Sequence, residues 1–228
     1  MEQSTVKVAA FLTAARYENT LARNHIEMAL HTCGINLIVS GGVYYGQCMQ
    51  SMLEDAVSEG LQYAITVDGD SMFVASDVKR LLGLIVGNKE IDAVCGLQAK
   101  RGSKHPLASK TGEKTVTITG SPIPISTGHF GLTVIDMKKL ANVPKPWFAH
   151  VPDANGSWGD DKIDDDIYFW RQWEKAGNTL YLDPQCRVGH LEEVVTVFDE
   201  TMTVQQMYPE DWRDANKVNT RDRVSISP

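Results

Sequence analysis

The stretch AITVDGDSMF, from Ala64 to Phe73, carries an apolar run straight into two aspartates separated by one glycine. A short apolar, β-branched run of this kind reads as a buried strand, and Asp68 and Asp70 stand where it ends. Two ionised carboxylates at a strand end repel one another. Holding them beside a core costs free energy unless a cation or a ligand is present. Aspartates also fill turns and cap helices, so the surrounding fold decides what the pair does.

Working upstream, Val6–Leu12 is a β-rich run, and Ala22, Ile26, Ala29 and Leu30 then recur at helical spacing until Gly34. Ile35–Val39 is a second buried run, closed by Gly41 and Gly42. Met49, Met52, Leu53, Ala56 and Val57 mark one face of a second helix, and Tyr63–Val67 is the strand that delivers Asp68. Downstream, Ser76 is placed to cap a helix carrying Val78, Leu81, Leu82 and Ile85, and Ala93–Leu97 gives another strand. Strands alternating with amphipathic helices predict βαβ units in a mixed, mainly parallel α/β sheet flanked by helices. Right-handed crossovers bring the carboxyl ends of such strands to one rim, outside which ligands bind.

The second half has a different pattern. Lys114–Thr119 alternates and Ile123–Thr127 resumes after a break, which predicts short antiparallel or edge strands. A Gly-rich GHFGLTVID leads to a short helix from Asp136. After a loop rich in Pro, Asp and Gly comes a helix carrying Ile163, Ile167, Trp170 and Trp173 and closing at Gly177. Thr179–Leu182 and Cys186–Val188 read as the last two strands. Residues 1–200 are expected to form the domain, in two halves of 1–100 and 101–200, with 201–228 as an extension.

With 228 residues, 43% hydrophobic and 22% charged, the chain has the composition of an ordinary globular protein. A net charge of −7 argues against a general nucleic-acid binder, which carries a basic face. No apolar run approaches the ~18 residues of a membrane span, and no signal peptide is evident. Cys33, Cys48, Cys95 and Cys186 show neither a C-x-x-C pair nor zinc spacing, so reduced thiols and a cytoplasmic location are expected.

Two enzyme chemistries use an aspartate pair after a strand. A haloacid-dehalogenase-like phosphatase would attack phosphate with Asp68, and Gly159 to Asp164 (GDDKID) matches that superfamily's later acidic motif. That motif should follow a buried strand, whereas HVPDANGSW precedes it here, and the nucleophile should lie on the first strand.

The other is glycosyl transfer. From about Val6 to Glu192 the chain resembles the nucleotide-sugar glycosyltransferases of the GT-A class, in particular small phage and bacterial members. AITVDGDSMF resembles their strand-plus-D-x-D, placed after two βα units, and VCGLQAKRG the next strand with basic residues beyond it. STGHFGLTVIDMKKL resembles the small-residue acceptor-side segment. PWF followed by DDDIYFWRQWEKAG is similar to the P-W-F and E-D-x-x-F segments, and TLYLDPQCRVGHL to a closing strand pair ending in Gly-His. Many relatives open the second helix with Arg-Asn, where this chain has YYGQCMQ, and Asp165-Asp166 replaces the usual Glu-Asp.

The resemblance implies transfer of a sugar from a UDP- or GDP-sugar to a hydroxyl of a glycan, a protein or a modified DNA base, in the host cytoplasm if phage-encoded. It implies Mn²⁺ or Mg²⁺ on Asp70 and His190, with Asp68 on the ribose or sharing the metal. Thr13 and Arg16 would meet the nucleoside and Lys100 and Arg101 the diphosphate, while Gly69 lets the donor approach the backbone. Asp165 or Asp166 would be the base, the helix dipole favouring its ionised form. Thr127, Gly128, His129 and Trp147 would lie on the acceptor side, with Phe148 as a second stacking ring and Trp158 on a mobile lid. A nucleotide-sugar-binding module that has lost catalysis is the non-enzyme alternative.

Overall fold

A computed structural model describes residues 6–14, 18–103, 105–113, 115–159 and 161–215. The first half alternates as its apolar periodicity requires: β1 (Val8–Ala14), α1 (Thr20–Thr32), β2 (Leu37–Gly41), α2 (Tyr45–Ser58), β3 (Tyr63–Val67), β4 (Ser71–Met72), α3 (Ala75–Gly87) and β5 (Ala93–Gln98). Then follow β6 (Ile123–Ile125), β7 (Leu132–Asp136), α4 (Met137–Leu140), α5 (Asp165–Lys175) and β8 (Leu180–His190).

These strands form one sheet in the order β2-β1-β3-β7-β5-β8-β4, with β6 also on β8. β1 is parallel to β2 and β3, and β5 is parallel to β8. β7 runs antiparallel to both of its neighbours, β3 and β5. Hence β1, β2, β3, β5 and β8 share one direction, and the fold is a mixed, mostly parallel α/β sheet flanked by helices.

Side chains alternate across the strands, and two cores result. Ala9 and Phe11 of β1 join Met49, Leu53, Trp170 and Trp173 on the face covered by α2, α4 and α5. Ala10 and Leu12 join Ile26, Leu30, Leu81 and Ile85 under α1 and α3. Each large apolar side chain buried this way contributes about 1.5–3 kcal/mol.

Four local expectations change. α3 is capped at Val74, not Ser76: the Asp77 carboxylate reaches back and accepts from the Val74 N–H at 2.9 Å. Residues 115–119 form no strand despite their alternation. The two final strands are one, β8, whose pairing with β5 shifts register between Gly96 and Leu97. The GHFGLTVID segment supplies β7, inserted between two strands of the parallel set.

The chain divides into two compact units, Met1–Leu191 and Glu192–Pro228. The second contains the hairpin β9 (Val195–Phe198) and β10 (Val204–Met207), followed by α6 (Pro209–Ala215). Its turn is built on Asp199, whose carboxylate accepts from the Thr201 hydroxyl and from the Thr201 and Thr203 N–H groups. Bonds to its charged form, the Thr201 hydroxyl first, hold that carboxyl down at about 2.

Candidate functional site

Immediately after β3 the chain turns, the Ser71 N–H donating to the Asp68 carbonyl at 3.0 Å. This turn starts β4 antiparallel to the end of β8, setting Ser71 opposite His190 and Met72 opposite Gly189. The Leu191 N–H donates to the Asp70 carbonyl at 2.8 Å and closes the ladder. A β-carbon on Gly189 would stand 3.1 Å from that of Met72, so a glycine there permits the close pairing.

The ladder brings Oδ2 of Asp70 to 3.3 Å from Nε2 of His190. Nε–H of Arg101 donates to that Nε2 at 3.0 Å, and the same guanidinium pairs with the Asp70 carboxylate. Nε2 is therefore the acceptor, and the imidazole proton lies on Nδ1, 3.0 Å from the Ala99 carbonyl. This tautomer is the one a metal ligand adopts, because it turns the Nε2 lone pair toward a cation. Among the described residues no group of three His, Cys, Asp or Glu side chains is arranged to hold a metal. Asp70 and His190 supply two donors, a set that suits a hard divalent ion completing its shell with phosphate oxygens and water.

Asp68 does not join that pair. It lines a neighbouring cavity of about 460 Å³ with Tyr45, Leu107, Thr127, Gly128, His129, Phe130, Asp165 and Asp166 among others. Burial first, then the charge of Asp166, pushes the Asp68 carboxyl up to about 6. Asp166 is also raised, by burial and by Asp165 and Asp164, against the bond it accepts from the Ile167 N–H. The dipole of α5 favours the ionised form of Asp166, and desolvation and like charges act against it to give the net raised direction. The Tyr45 phenol is raised well above its ordinary range by burial and by Asp68, Asp165 and Asp166. Of the three consecutive aspartates, Asp164 occupies the N-cap of α5 but makes no cap bond.

The cavity floor rests on an aromatic cluster. Phe130 stacks on Trp170 at 5.2 Å, and Phe148 packs on Phe169 at 4.9 Å. His129 belongs to this floor through its backbone. Its Nε2–H donates to the Gly96 carbonyl at 2.8 Å and its Nδ1 accepts from the Gly131 N–H at 2.9 Å, so neither ring nitrogen faces a ligand. Burial pushes its pKa down to about 4. Thr127 lines the cavity and shares a 2.6 Å hydroxyl contact with Ser109.

Trp147 and Phe148 cannot stack on a sugar. Both are buried in the core, and the Trp147 indole N–H donates to the Val143 carbonyl at 2.9 Å. Trp158 is 60% exposed, next to a turn closed by hydrogen bonds to Asp153, and it lies outside the cavity lining. Lys100 is exposed beside Arg101. Thr13, at the carboxyl end of β1, has a buried hydroxyl without a hydrogen-bond partner. Arg16 and Asp160 lie outside the described residues. The described residues of the GDDKID segment, 159 and 161–164, precede α5 and do not follow a buried strand of the sheet.

Two neighbours of the carboxylates have no signal of their own in the sequence. Tyr45 reads as an ordinary aromatic on the first turn of a helix, and His150 as one loop histidine. The half-exposed His150 brings Nε2 to 3.5 Å from Asp165 Oδ2 and Nδ1 to 3.9 Å from Asp164 Oδ1. The packing of α2 against the start of α5 reveals Tyr45, and the loop that carries residue 150 past the start of α5 reveals His150.

No protein-family model matches the chain, and no curated protein does. Among solved structures it is similar to A197 from STIV, with a TM-score of 0.61 and 13% identity over 88% of this chain and 94% of that one. It is also similar to GalNAc-T7 solved with UDP, GalNAc and Mn²⁺, with a TM-score of 0.54 and 12% identity over 84% of this chain. The match spans 45% of the GalNAc-T7 chain, less than half its length. At these identities the likeness is one of fold: the chain has a mixed α/β fold similar to that of a GT-A glycosyltransferase.

Proposed function

We propose that the protein is a metal-dependent glycosyltransferase that moves a sugar from a nucleoside-diphosphate sugar to an acceptor hydroxyl. The observation that carries this reading is the Asp70–His190 pair, its imidazole in the ligand tautomer, beside a cavity lined by Asp68, Asp165 and Asp166. GalNAc-T7, whose fold is similar, was solved with UDP, GalNAc and Mn²⁺. The same ligand classes, a nucleotide sugar and Mn²⁺ or Mg²⁺, are proposed for this chain.

Asp70 and His190 would hold the divalent ion, which offsets as a Lewis acid the charge that builds on the departing diphosphate. Arg101, already a cation at this spot, contributes to the same end, with Lys100 beside it. Asp68 reaches the ribose from the cavity rim, and Thr13, with Arg16 following it in sequence, faces the nucleoside. A β-carbon on Gly69 would meet nothing within 4 Å, and Gly69 has no positive φ. Neither crowding within the protein nor backbone conformation requires a glycine between the aspartates, which leaves close approach of the donor as its reason.

For transfer with inversion, the acceptor hydroxyl needs a base of suitable basicity within hydrogen-bond reach. Asp166 is taken for this role, because burial and its acidic neighbours raise its proton affinity. Thr127, Gly128 and the His129 backbone form the wall beside it. The test is calorimetric titration of UDP- and GDP-sugars with and without Mn²⁺. Metal-dependent binding of one series is expected, and no metal-dependent binding of any nucleotide sugar overturns the reading.

A further inference from the structure

In the cavity beside Asp70 and His190, two polar atoms are buried and form no hydrogen bond: the Tyr45 hydroxyl and Oδ2 of Asp165, which has only the half-exposed His150 imidazole at 3.5 Å. Leaving buried polar groups unpaired costs free energy, so such atoms at a cavity wall point to a ligand that completes them. Each is held in place by its surroundings. The Tyr45 ring makes edge contacts with Phe130 at 6.3 Å and Phe148 at 6.2 Å. Oδ1 of Asp165 accepts from the Asp166 N–H at 3.0 Å, which fixes the carboxylate plane. Oδ2 then lies over the first turn of α2, where a β-carbon on Gly46 would stand 2.9 Å from it. Gly46 therefore makes room for the carboxylate next to the phenol.

The chemistry of the wall selects the ligand. A phenol that donates and a carboxylate that only accepts are complementary to hydroxyl groups, which do both. Asp68, Asp165 and Asp166 line the cavity, and among the described residues no lysine or arginine does. An anionic ring would meet three carboxylates, offset only in part by the Arg101 charge that reaches Asp68 and by the half-exposed His150 beside Asp165. Leu107, Phe130 and Ile167 supply apolar surface for the C–H face of a ring. The volume lies within the range of small-ligand pockets.

We infer that Tyr45 and Asp165 form a two-point clamp for hydroxyls of the transferred sugar, and that this sugar is an uncharged ring rather than a uronic or other acidic one. This rests on the nucleotide-sugar reading. The anionic diphosphate lies on the Arg101 side and the neutral ring in the acidic cavity, so charge alone orients the donor.

The test compares wild type and Tyr45→Phe by titration, in Mn²⁺, with UDP, UDP-glucose and UDP-glucuronate and with GDP and GDP-mannose. In wild type the neutral hexose is expected to bind about tenfold tighter than the uronate. Tyr45→Phe is expected to weaken the hexose nucleotide by about tenfold, one hydrogen bond's worth, and to leave the diphosphate alone unchanged. Without ligand, Tyr45→Phe should melt at or above the wild-type temperature, since it removes an unpaired buried hydroxyl. A fall of several degrees would mean a structural hydroxyl and overturns the clamp. Asp165→Asn, which exchanges an acceptor oxygen for a donor and leaves Tyr45 intact, should weaken the hexose nucleotides in the same way. Diphosphate binding with no effect of Tyr45→Phe, or uronate binding as tight as hexose, overturns the clamp alone. Failure of both diphosphates to bind overturns the donor reading and the clamp with it.

Discussion

Oδ2 of Asp70 stands 3.3 Å from Nε2 of His190, although the two residues are far apart in the sequence. What joins them is backbone pairing, β4 laid antiparallel on the last residues of β8, and not a contact between their side chains alone. The pair is thus positioned by the ladder whatever occupies the space between them, and Arg101 fills it with a guanidinium.

Because the guanidinium uses the same two donors as a divalent ion, the two cations compete for them. Arg101→Met is expected to tighten binding of Mn²⁺ alone by several-fold and to weaken binding of a nucleoside diphosphate in the presence of Mn²⁺. Titration of metal and of UDP or GDP separately reads the two opposite changes. Weakening of both would mean that Arg101 supports the metal ligands instead of competing for them.

Asp166→Asn should leave nucleotide-sugar binding within about twofold of wild type and lower turnover by at least about 100-fold, the scale of a general base. The measurement is release of nucleoside diphosphate under saturating donor. Full turnover by this variant would remove Asp166 from the chemistry.

His129 makes stability depend on pH. Its folded pKa of about 4 is depressed from 6.5 by burial, so the unfolded chain binds the proton more readily. The contribution is fully present above about 6.5 and is lost as pH falls through about 4, a total of about 3 kcal/mol. Urea unfolding of wild type and His129→Gln at neutral and acid pH should show a gap that shifts in favour of the variant on acidification. A gap independent of pH would contradict the assignment.

Asp183 is fully buried in β8 and is paired with Arg80 of α3, whose second nitrogen donates to its Oδ1 at 3.2 Å. Removing Arg80 leaves a buried carboxylate with only the Gln185 N–H. Arg80→Ala is expected to cost about 2 kcal/mol, at the low side for a broken buried pair because a third of the arginine remains in water. Arg80→Ala in an Asp183→Asn background should cost clearly less, which chemical denaturation can resolve.

The sheet's first half is legible in the residues because its signals are local. Tyr63–Val67 ends in the β-branched run Ile65, Thr66 and Val67, and the strand stops where the carboxylates begin. What escapes the sequence depends on partners distant along the chain. β7 looks like any apolar run, and nothing within it says that it enters antiparallel between β3 and β5. β8 reads as two strands because Asp183, Pro184 and Gln185 interrupt its apolar residues. In the fold Asp183 is paired with Arg80, and the interruption becomes a shift in register against β5. Residues 115–119 alternate as a strand does, yet they pair with no neighbour in the sheet. At the site, the aspartates and His190 stand out by residue type and order. Tyr45 does not, because only the surrounding side chains show that its hydroxyl is buried without a partner.

The most direct test of the central claim is the melting temperature of wild type, Asp70→Ala and His190→Ala with UDP or GDP, each with and without Mn²⁺. A ligand that binds only the native state raises it. Wild type is expected to gain several degrees with one diphosphate only when Mn²⁺ is present, and both variants are expected to lose that gain while melting near wild type without ligand. A Mn²⁺-dependent gain of equal size in the variants, or none in wild type with either diphosphate, would contradict the account.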